Sequence, residues 1–137
     1  VEVKSEGDWR ATTKATAEMM DGYSGCYCVE SFHPLAVEWF RKHRPHIVRG
    51  QLSTNYFLDE PGRRWSEKFI LTNLLLNFKA RPDFIAFNHI WSDSWAYALC
   101  RKLFHVAWTI RNQDELERAK RIFQVIIFDS FIPDKKN

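Results

Sequence analysis

Short apolar segments alternate with helix-like segments along almost the whole chain, and this alternation restricts the possible folds more than any other feature. Six segments have the length and the aromatic or β-branched composition of strands, and they span residues 1–4, 26–32, 46–52, 83–89, 104–110 and 124–130. Helical segments are predicted between them at residues 8–20, 34–43, 66–79, 94–103 and 112–122. Strands joined by helical crossovers form parallel sheets, and strands this apolar are buried on both faces. The sequence therefore predicts an α/β protein.

Two parallel architectures fit the alternation, a doubly wound open sheet and part of a (β/α)8 barrel. A dinucleotide-binding sheet needs a glycine-rich turn after its first strand, and the segment "VEVKSEGDW" offers only Gly7. Charged residues inside the predicted strands suit a barrel better, because the carboxyl ends of barrel strands bear the functional side chains. The residues therefore favour part of a (β/α)8 barrel, with about six βα units, over the doubly wound sheet, and we expect residues 1–137 to form a single domain.

Charge and cysteine content exclude several classes of protein. The 20 basic and 17 acidic residues leave a net charge of +3, which is too small for a typical nucleic-acid-binding surface. The three cysteines include no C-x-x-C pair, and no apolar run reaches the length of a membrane span of about 18 residues. We expect no nucleic-acid partner, no stable membrane insertion and a reducing, cytoplasmic location.

Glu2 and Lys4 lie two residues apart in the first predicted strand, so their side chains point to the same face. They could form a simple ion pair. Alternatively, Glu2 could bind a hard divalent cation such as Ca²⁺ or Mg²⁺, and Lys4 could bind a phosphate group. The spacing alone does not decide between these two interpretations.

Four other residues stand near the ends of predicted strands. Glu30 lies inside an apolar segment and needs a partner, because an unpaired buried carboxylate is costly. His33 would be an exposed loop residue or a residue at the mouth of the barrel. Trp108 could pack in the core or line a pocket, and Asp129 could lie at the barrel mouth or cap the segment that follows.

Six short motifs occur together in one order: "VEVK", "ESFHP", "VRGQLS", "PDFIAF", "VAWTI" followed by "DELERA", and "IIFDSFIP". In this order and spacing the chain resembles the glycerophosphodiester phosphodiesterase family, in its soluble bacterial form, from the first residue to about Pro133. The resemblance implies a TIM barrel of which this chain forms strands three to eight. It also implies a hydrolase of lipid and glycerol metabolism that cleaves glycerophosphodiesters to glycerol 3-phosphate and an alcohol with a divalent cation.

The resemblance also implies roles for four residues. Glu2 matches a metal-ligand glutamate, and Lys4 matches a catalytic lysine that contacts the substrate phosphate. Trp108 and Phe32 match residues that line the substrate pocket, Trp108 through its "WT" motif and Phe32 through its "SF" motif. The expected cofactor is Ca²⁺ or Mg²⁺, and the expected small-molecule partner is the glycerophosphodiester itself.

The chain departs from the family pattern in one important respect. None of its five histidines occurs in the family's "HRG" context, so both acid–base histidines and two of three metal carboxylates are absent. We expect little or no activity from this chain alone, and completion by an N-terminal barrel segment or by a partner chain. The alternatives are a non-catalytic truncated barrel that binds a ligand or assembles with other proteins, and an unrelated parallel α/β protein.

Overall fold

Five parallel strands form one sheet in the computed structural model, which describes residues 1–4, 6–100 and 102–134. The strands are β1 (Cys28–Ser31), β2 (Val48–Ser53), β3 (Phe84–Asn88), β4 (Phe104–Ile110) and β5 (Val125–Phe128). Their spatial order is β1-β2-β3-β4-β5, the same as their order in the sequence. A doubly wound sheet reverses its strand order at a switch point, whereas a barrel does not. The sheet is therefore a curled half-barrel, in agreement with the predicted incomplete TIM barrel.

The N-terminal segment forms less of a strand than its alternating pattern predicts. Residues 1–4 make a single parallel bridge, in which Glu2 lies opposite Glu30 of β1. The Val3 N–H donates to the Glu30 carbonyl at 2.7 Å, and the Glu30 N–H donates to the Val1 carbonyl at 2.9 Å. The prediction of six full strands is thus wrong for the first of them. Its side chains nevertheless keep their predicted faces, since Val3 is buried while Glu2 and Lys4 are exposed.

Seven α-helices connect the strands in the described part of the chain. They are α1 (Trp9–Met20), α2 (Pro34–His43), α3 (Tyr56–Asp59), α4 (Trp65–Thr72), α5 (Asn77–Ala80), α6 (Trp95–Leu99) and α7 (Gln113–Ala119). A short 3₁₀ helix, His89–Trp91, follows β3. Asp8 caps α1 as predicted, because its carboxylate accepts from the N–H groups of Arg10 and Ala11. None of the described helices is long and apolar enough to cross a membrane.

The predicted helix over residues 66–79 is broken in the structure into α4 and α5. The chain turns between them at Leu74, whose φ of 52° lies in the left-handed region. This turn directs the Leu74 side chain into the core, where it is 8% exposed and packs with Ile85 and Phe87 of β3. Burial of Leu74 explains why a sequence of good helix formers does not stay helical here.

The two faces of the sheet are packed differently. The face toward the helices holds the main core, in which Ile85, Phe87 and Ala107 are fully buried against α6 and α7. The opposite, concave face holds a smaller apolar cluster, formed by Leu52, Phe84, Ala86, Val106 and the partly buried Cys28, Phe32, Trp108 and Ile127. In a TIM barrel this concave face is the barrel interior. Glu2, Lys4, Phe32 and Trp108 lie on this side.

Candidate functional site

The four residues to which the resemblance assigns roles lie together in the structure. Glu2, Lys4, Phe32 and Trp108 line one cleft of about 250 Å³ on the concave face. The cleft is completed by Glu30, Leu52, Thr109 and Ile127. Phe32 follows the end of β1 and Trp108 lies in the second half of β4, so the cleft opens toward the carboxyl ends of the strands. In barrels of this type, that end bears the functional side chains.

Glu2 and Lys4 form an ion pair across the mouth of the cleft. The Lys4 Nζ lies 2.9 Å from Glu2 Oε1. This hydrogen bond and the charge of Glu2 raise the pKa of Lys4, so the amine is fully protonated at neutral pH. Both side chains retain contact with solvent, and an exposed ion pair contributes little to stability. Lys4 can therefore exchange Glu2 for a ligand anion at small cost.

Glu30 is the second carboxylate of the cleft and lies directly opposite Glu2 in the bridge between residues 1–4 and β1. Burial raises the pKa of Glu30; the N-terminal ammonium partly opposes this rise, and the charge of Glu2 adds to it. The negative charge of Glu2 disfavours ionisation of Glu30. A cation bound by Glu2 and Glu30 would offset the repulsion between the two carboxylates. The sequence indicated that Glu30 needs a partner but did not pair it with Glu2.

The carboxylates of the cleft supply some of the ligands that a divalent cation needs. Within residues 1–4, 6–100 and 102–134, no group of three or more His, Cys, Asp or Glu side chains could hold a metal ion. Glu2 and Glu30 supply hard oxygen donors, the type that Mg²⁺ and Ca²⁺ prefer. Mg²⁺ commonly binds through one or two carboxylates, with water and substrate phosphate as its other ligands. The two glutamates therefore suit such an ion, provided that its other ligands come from elsewhere.

Trp108 and Phe32 form a rigid aromatic wall of the cleft. The Trp108 Nε1–H donates to the Ala86 carbonyl at 2.8 Å, which fixes the orientation of the indole. The two rings meet edge to face, with centroids 5.4 Å apart and planes at 87°. Both residues are partly exposed, so the wall remains available to a ligand.

His33 and Asp129 do not join this cleft. His33 precedes α2, its ring stacks on Trp9 at 4.6 Å, and it lines a different cavity. Burial, together with the charges of Arg10 and Arg63, lowers the pKa of His33. Asp129 is exposed after β5, and its N–H donates to the Ile110 carbonyl at 3.0 Å. Neither residue is placed to transfer a proton to a ligand in the cleft.

A polar network near the carboxyl ends of β2 and β3 was not predicted. The Asp59 carboxylate accepts hydrogen bonds from the Thr54 hydroxyl, from Asn88 Nδ2 at 3.4 Å and from Trp91 Nε1 at 3.1 Å. These bonds hold α3 against the ends of the strands. In the sequence, Asp59 is indistinguishable from an ordinary turn residue, because its partners are up to 32 positions away.

Solved structures of two other proteins share this fold. One is a protein from Silicibacter pomeroyi DSS-3 described as a glycerophosphoryl diester phosphodiesterase, with a TM-score of 0.62 and 17% identity over 93% of this chain. The other is a glycerophosphodiester phosphodiesterase from Thermotoga maritima, with a TM-score of 0.59 and 14% identity, again over 93% of this chain.

The match covers 45% of the first structure and 52% of the second, so this chain spans about half the length of each. No protein-family model matches the sequence. No curated protein sequence matches it either. The resemblance predicted from six short motifs is thus confirmed by structural neighbours: the chain has the fold of part of a glycerophosphodiester phosphodiesterase.

Proposed function

We propose that this chain forms the phosphate-binding part, and part of the metal site, of a glycerophosphodiester phosphodiesterase. The observation that supports it is that Glu2, Lys4, Phe32 and Trp108 line a single cleft. The substrate would be a glycerophosphodiester, and the products glycerol 3-phosphate and an alcohol. The proposed enzyme would be bacterial, would act in lipid and glycerol metabolism and would be located in the cytoplasm. The three unpaired cysteines suit the reducing conditions of the cytoplasm.

In this proposal five residues of the cleft take part in binding the cation and the substrate. Glu2 and Glu30 would hold Ca²⁺ or Mg²⁺ through carboxylate oxygens, and Lys4 would exchange Glu2 for a phosphate oxygen. When bound, the cation supplies a Lewis acid that offsets the charge developing on the phosphoryl group. Phe32 and Trp108 pack against the glycerol carbons and exclude water from one side of the phosphodiester.

The described residues that line the cleft include no histidine, and the half-buried carboxyl among them, Glu30, is assigned to the cation. Lys4 is a protonated amine assigned to the phosphate, so it does not accept a proton. Proton transfer to the leaving alkoxide therefore has to come from another segment. We propose that a preceding barrel segment or a partner chain supplies it and covers the apolar groove of about 410 Å³ next to the cleft.

The test is binding of sn-glycerol 3-phosphate to the 137-residue chain, measured by calorimetry with and without Ca²⁺ or Mg²⁺. Binding should require the cation and should be lost in Glu2→Gln. Lys4→Met should weaken it about tenfold, the usual effect of losing a charged hydrogen bond. Lys14 and Glu18 form an exposed pair on α1 at 3.9 Å, so Lys14→Met and Glu18→Gln are matched controls that should not change binding.

Other outcomes of these measurements would contradict parts of the proposal. Cation-independent binding, or equal binding by Glu2→Gln and Glu18→Gln, would contradict the assignment of the site. Hydrolysis of glycerophosphocholine by the chain alone, abolished by Glu2→Gln, would contradict the claim that acid–base groups are missing. Binding without turnover, even after an N-terminal barrel segment is added, would favour a non-catalytic ligand-binding module.

A further inference from the structure

A second cavity lies beside the first and shares with it only one described lining residue, Phe32. It measures about 350 Å³ and lies where the chain leaves β1 and meets α3 and α4. Leu35, Ile70 and Leu71 belong to its apolar wall, whereas His33 and Tyr56 bring polar atoms to it. None of the residues assigned to metal or phosphate binding lines it.

Tyr56 has an unsatisfied polar group although the residue is only 1% exposed. Its hydroxyl has no hydrogen-bond partner among the described residues. Its backbone, by contrast, is satisfied, because the N–H donates to Thr72 Oγ1 at 3.1 Å. Burial raises the pKa of Tyr56, so the phenol stays protonated and able to donate. A buried donor without a partner is unfavourable, so this hydroxyl is suited to receive a ligand acceptor.

His33 Nδ1 is a second buried polar atom for which the described residues provide no partner. The ring is held in place by stacking on Trp9, with centroids 4.6 Å apart. His33 is neutral at physiological pH, since its pKa lies below the ordinary value of 6.5. In the tautomer that protonates Nδ1, it offers a second hydrogen-bond donor.

The charges near the two donors differ in sign. The Arg63 guanidinium lies 5.4 Å from the centroid of the Tyr56 ring, and the Arg10 guanidinium lies 4.6 Å from that of Trp9. Arg63 and Glu67 both line the cavity, and Glu60 and Glu67 neutralise part of the Arg63 charge, at 2.7 Å and 3.8 Å. At Tyr56 the negative charge of Glu60 outweighs the positive charge of Arg63. At His33 the combined effect of Arg10 and Arg63 is that of positive charge, so an anion is favoured on the His33 side of the cavity.

We propose that this cavity binds a medium-chain carboxylate. The carboxylate accepts hydrogen bonds from the Tyr56 hydroxyl and from His33 Nδ1, and the hydrocarbon chain packs against the apolar wall. Octanoate, with ten non-hydrogen atoms at roughly 30 Å³ each, needs about 300 Å³. This requirement matches the cavity of about 350 Å³. The proposal does not depend on phosphodiesterase activity, because it uses none of the proposed metal or phosphate ligands.

Octanoate binding to the 137-residue chain, measured by calorimetry and by the ¹⁵N shift of the His33 ring, tests the proposal. We expect saturable binding with a shift of the Nδ1 resonance. Tyr56→Phe keeps the ring and removes the donor, so it should weaken binding about tenfold. Tyr23→Phe removes a hydroxyl from a tyrosine that is 56% exposed outside this cavity, and it should bind like the unaltered chain.

Three further comparisons separate carboxylate recognition from simple apolar binding. Ile70→Trp should fill the cavity and block octanoate while keeping both donors, whereas Phe104→Gln, in the other apolar groove, should have no effect. Propionate and 1-octanol should each bind at least tenfold more weakly than octanoate. The proposal is overturned if binding is not saturable, or if Tyr56→Phe and Tyr23→Phe bind octanoate with equal affinity. It is also overturned if 1-octanol binds as tightly as octanoate, or if Phe104→Gln loses binding while Ile70→Trp keeps it.

Discussion

Glu30 connects the sequence, the fold and the candidate site at the scale of a single residue. It is a carboxylate in an otherwise apolar strand, and the bridge to residues 1–4 places it opposite Glu2. Its raised pKa means that the folded chain favours the neutral acid. A structural residue under this constraint would be better as glutamine, whereas a metal ligand has to remain a carboxylate. These two roles differ in their response to pH and to cations.

Glu30→Gln should make the chain more stable at pH 7 and leave its stability unchanged in acid. For a carboxyl whose pKa is raised by folding, the folded state binds the proton more tightly, so stability falls as pH rises from the ordinary value of 4.5 through the folded pKa. Glutamine removes this dependence. Urea unfolding at pH 7 and pH 3.5 should show a higher midpoint for Glu30→Gln at pH 7 only.

Divalent cations should reverse the difference in stability between Glu30→Gln and the unaltered chain at pH 7. Saturating Mg²⁺ or Ca²⁺ should stabilise the unaltered chain and have little effect on Glu30→Gln, because ligands that bind only the folded state shift the unfolding equilibrium. Glu18→Gln, on the exposed face of α1, is the control and should respond like the unaltered chain at both pH values. A cation response in Glu30→Gln equal to that of the unaltered chain would exclude Glu30 as a ligand.

At the scale of secondary-structure elements, the contact between β2 and β3 is unusually close at Gly50. Gly50 lies opposite Phe84 in the strand register, and both residues are buried. A Cβ added at Gly50 would overlap the Phe84 ring. The absence of a side chain at this position therefore lets Phe84 lie across β2 on the concave face.

Gly50→Ala should destabilise the chain by about 1–3 kcal/mol, the usual cost of overpacking a core. The measurement is the free energy of urea unfolding. Gly62→Ala is the matched control, because a Cβ there meets no atom within 4 Å. Phe84→Leu in the Gly50→Ala background should restore part of the loss by shortening the ring that clashes. No recovery in the double variant would show that the backbone, and not the Phe84 ring, causes the cost.

Elements of this fold differ in how far the sequence predicts them. The five strands follow from apolar runs, because every parallel strand is covered on the helix side and at least partly on the other. The break between α4 and α5 at Leu74 cannot be predicted from the local sequence, because its cause is burial of Leu74 against Ile85 and Phe87, which are distant in sequence. The grouping of Glu2 with Trp108 followed from the resemblance, whereas the unsatisfied hydroxyl of Tyr56 depends on tertiary burial and leaves no local sequence pattern.

At the scale of the whole molecule, the concave face leaves apolar side chains without a covering layer among the described residues. Val48, Phe104 and Val125 are 50%, 49% and 43% exposed, and they line one apolar groove. Contiguous apolar surface of this kind usually marks an interface. β5 also has an open parallel edge in the described sheet, which invites pairing with another strand. Solved structures with the same fold are about twice as long, so a complete barrel has enough chain to cover both features.

The isolated 137-residue chain should therefore self-associate through this face. Sedimentation velocity should show a mass that increases with concentration, since association removes Phe104 and Val125 from water. The double substitution Phe104→Lys and Val125→Lys should keep the chain monomeric and preserve its circular dichroism, because both side chains already reach solvent. Ile132→Lys, at a residue that is 92% exposed outside the groove, should associate like the unaltered chain. If the double lysine variant still associates, contact is made elsewhere, and the groove is not the surface that a barrel segment or partner chain covers.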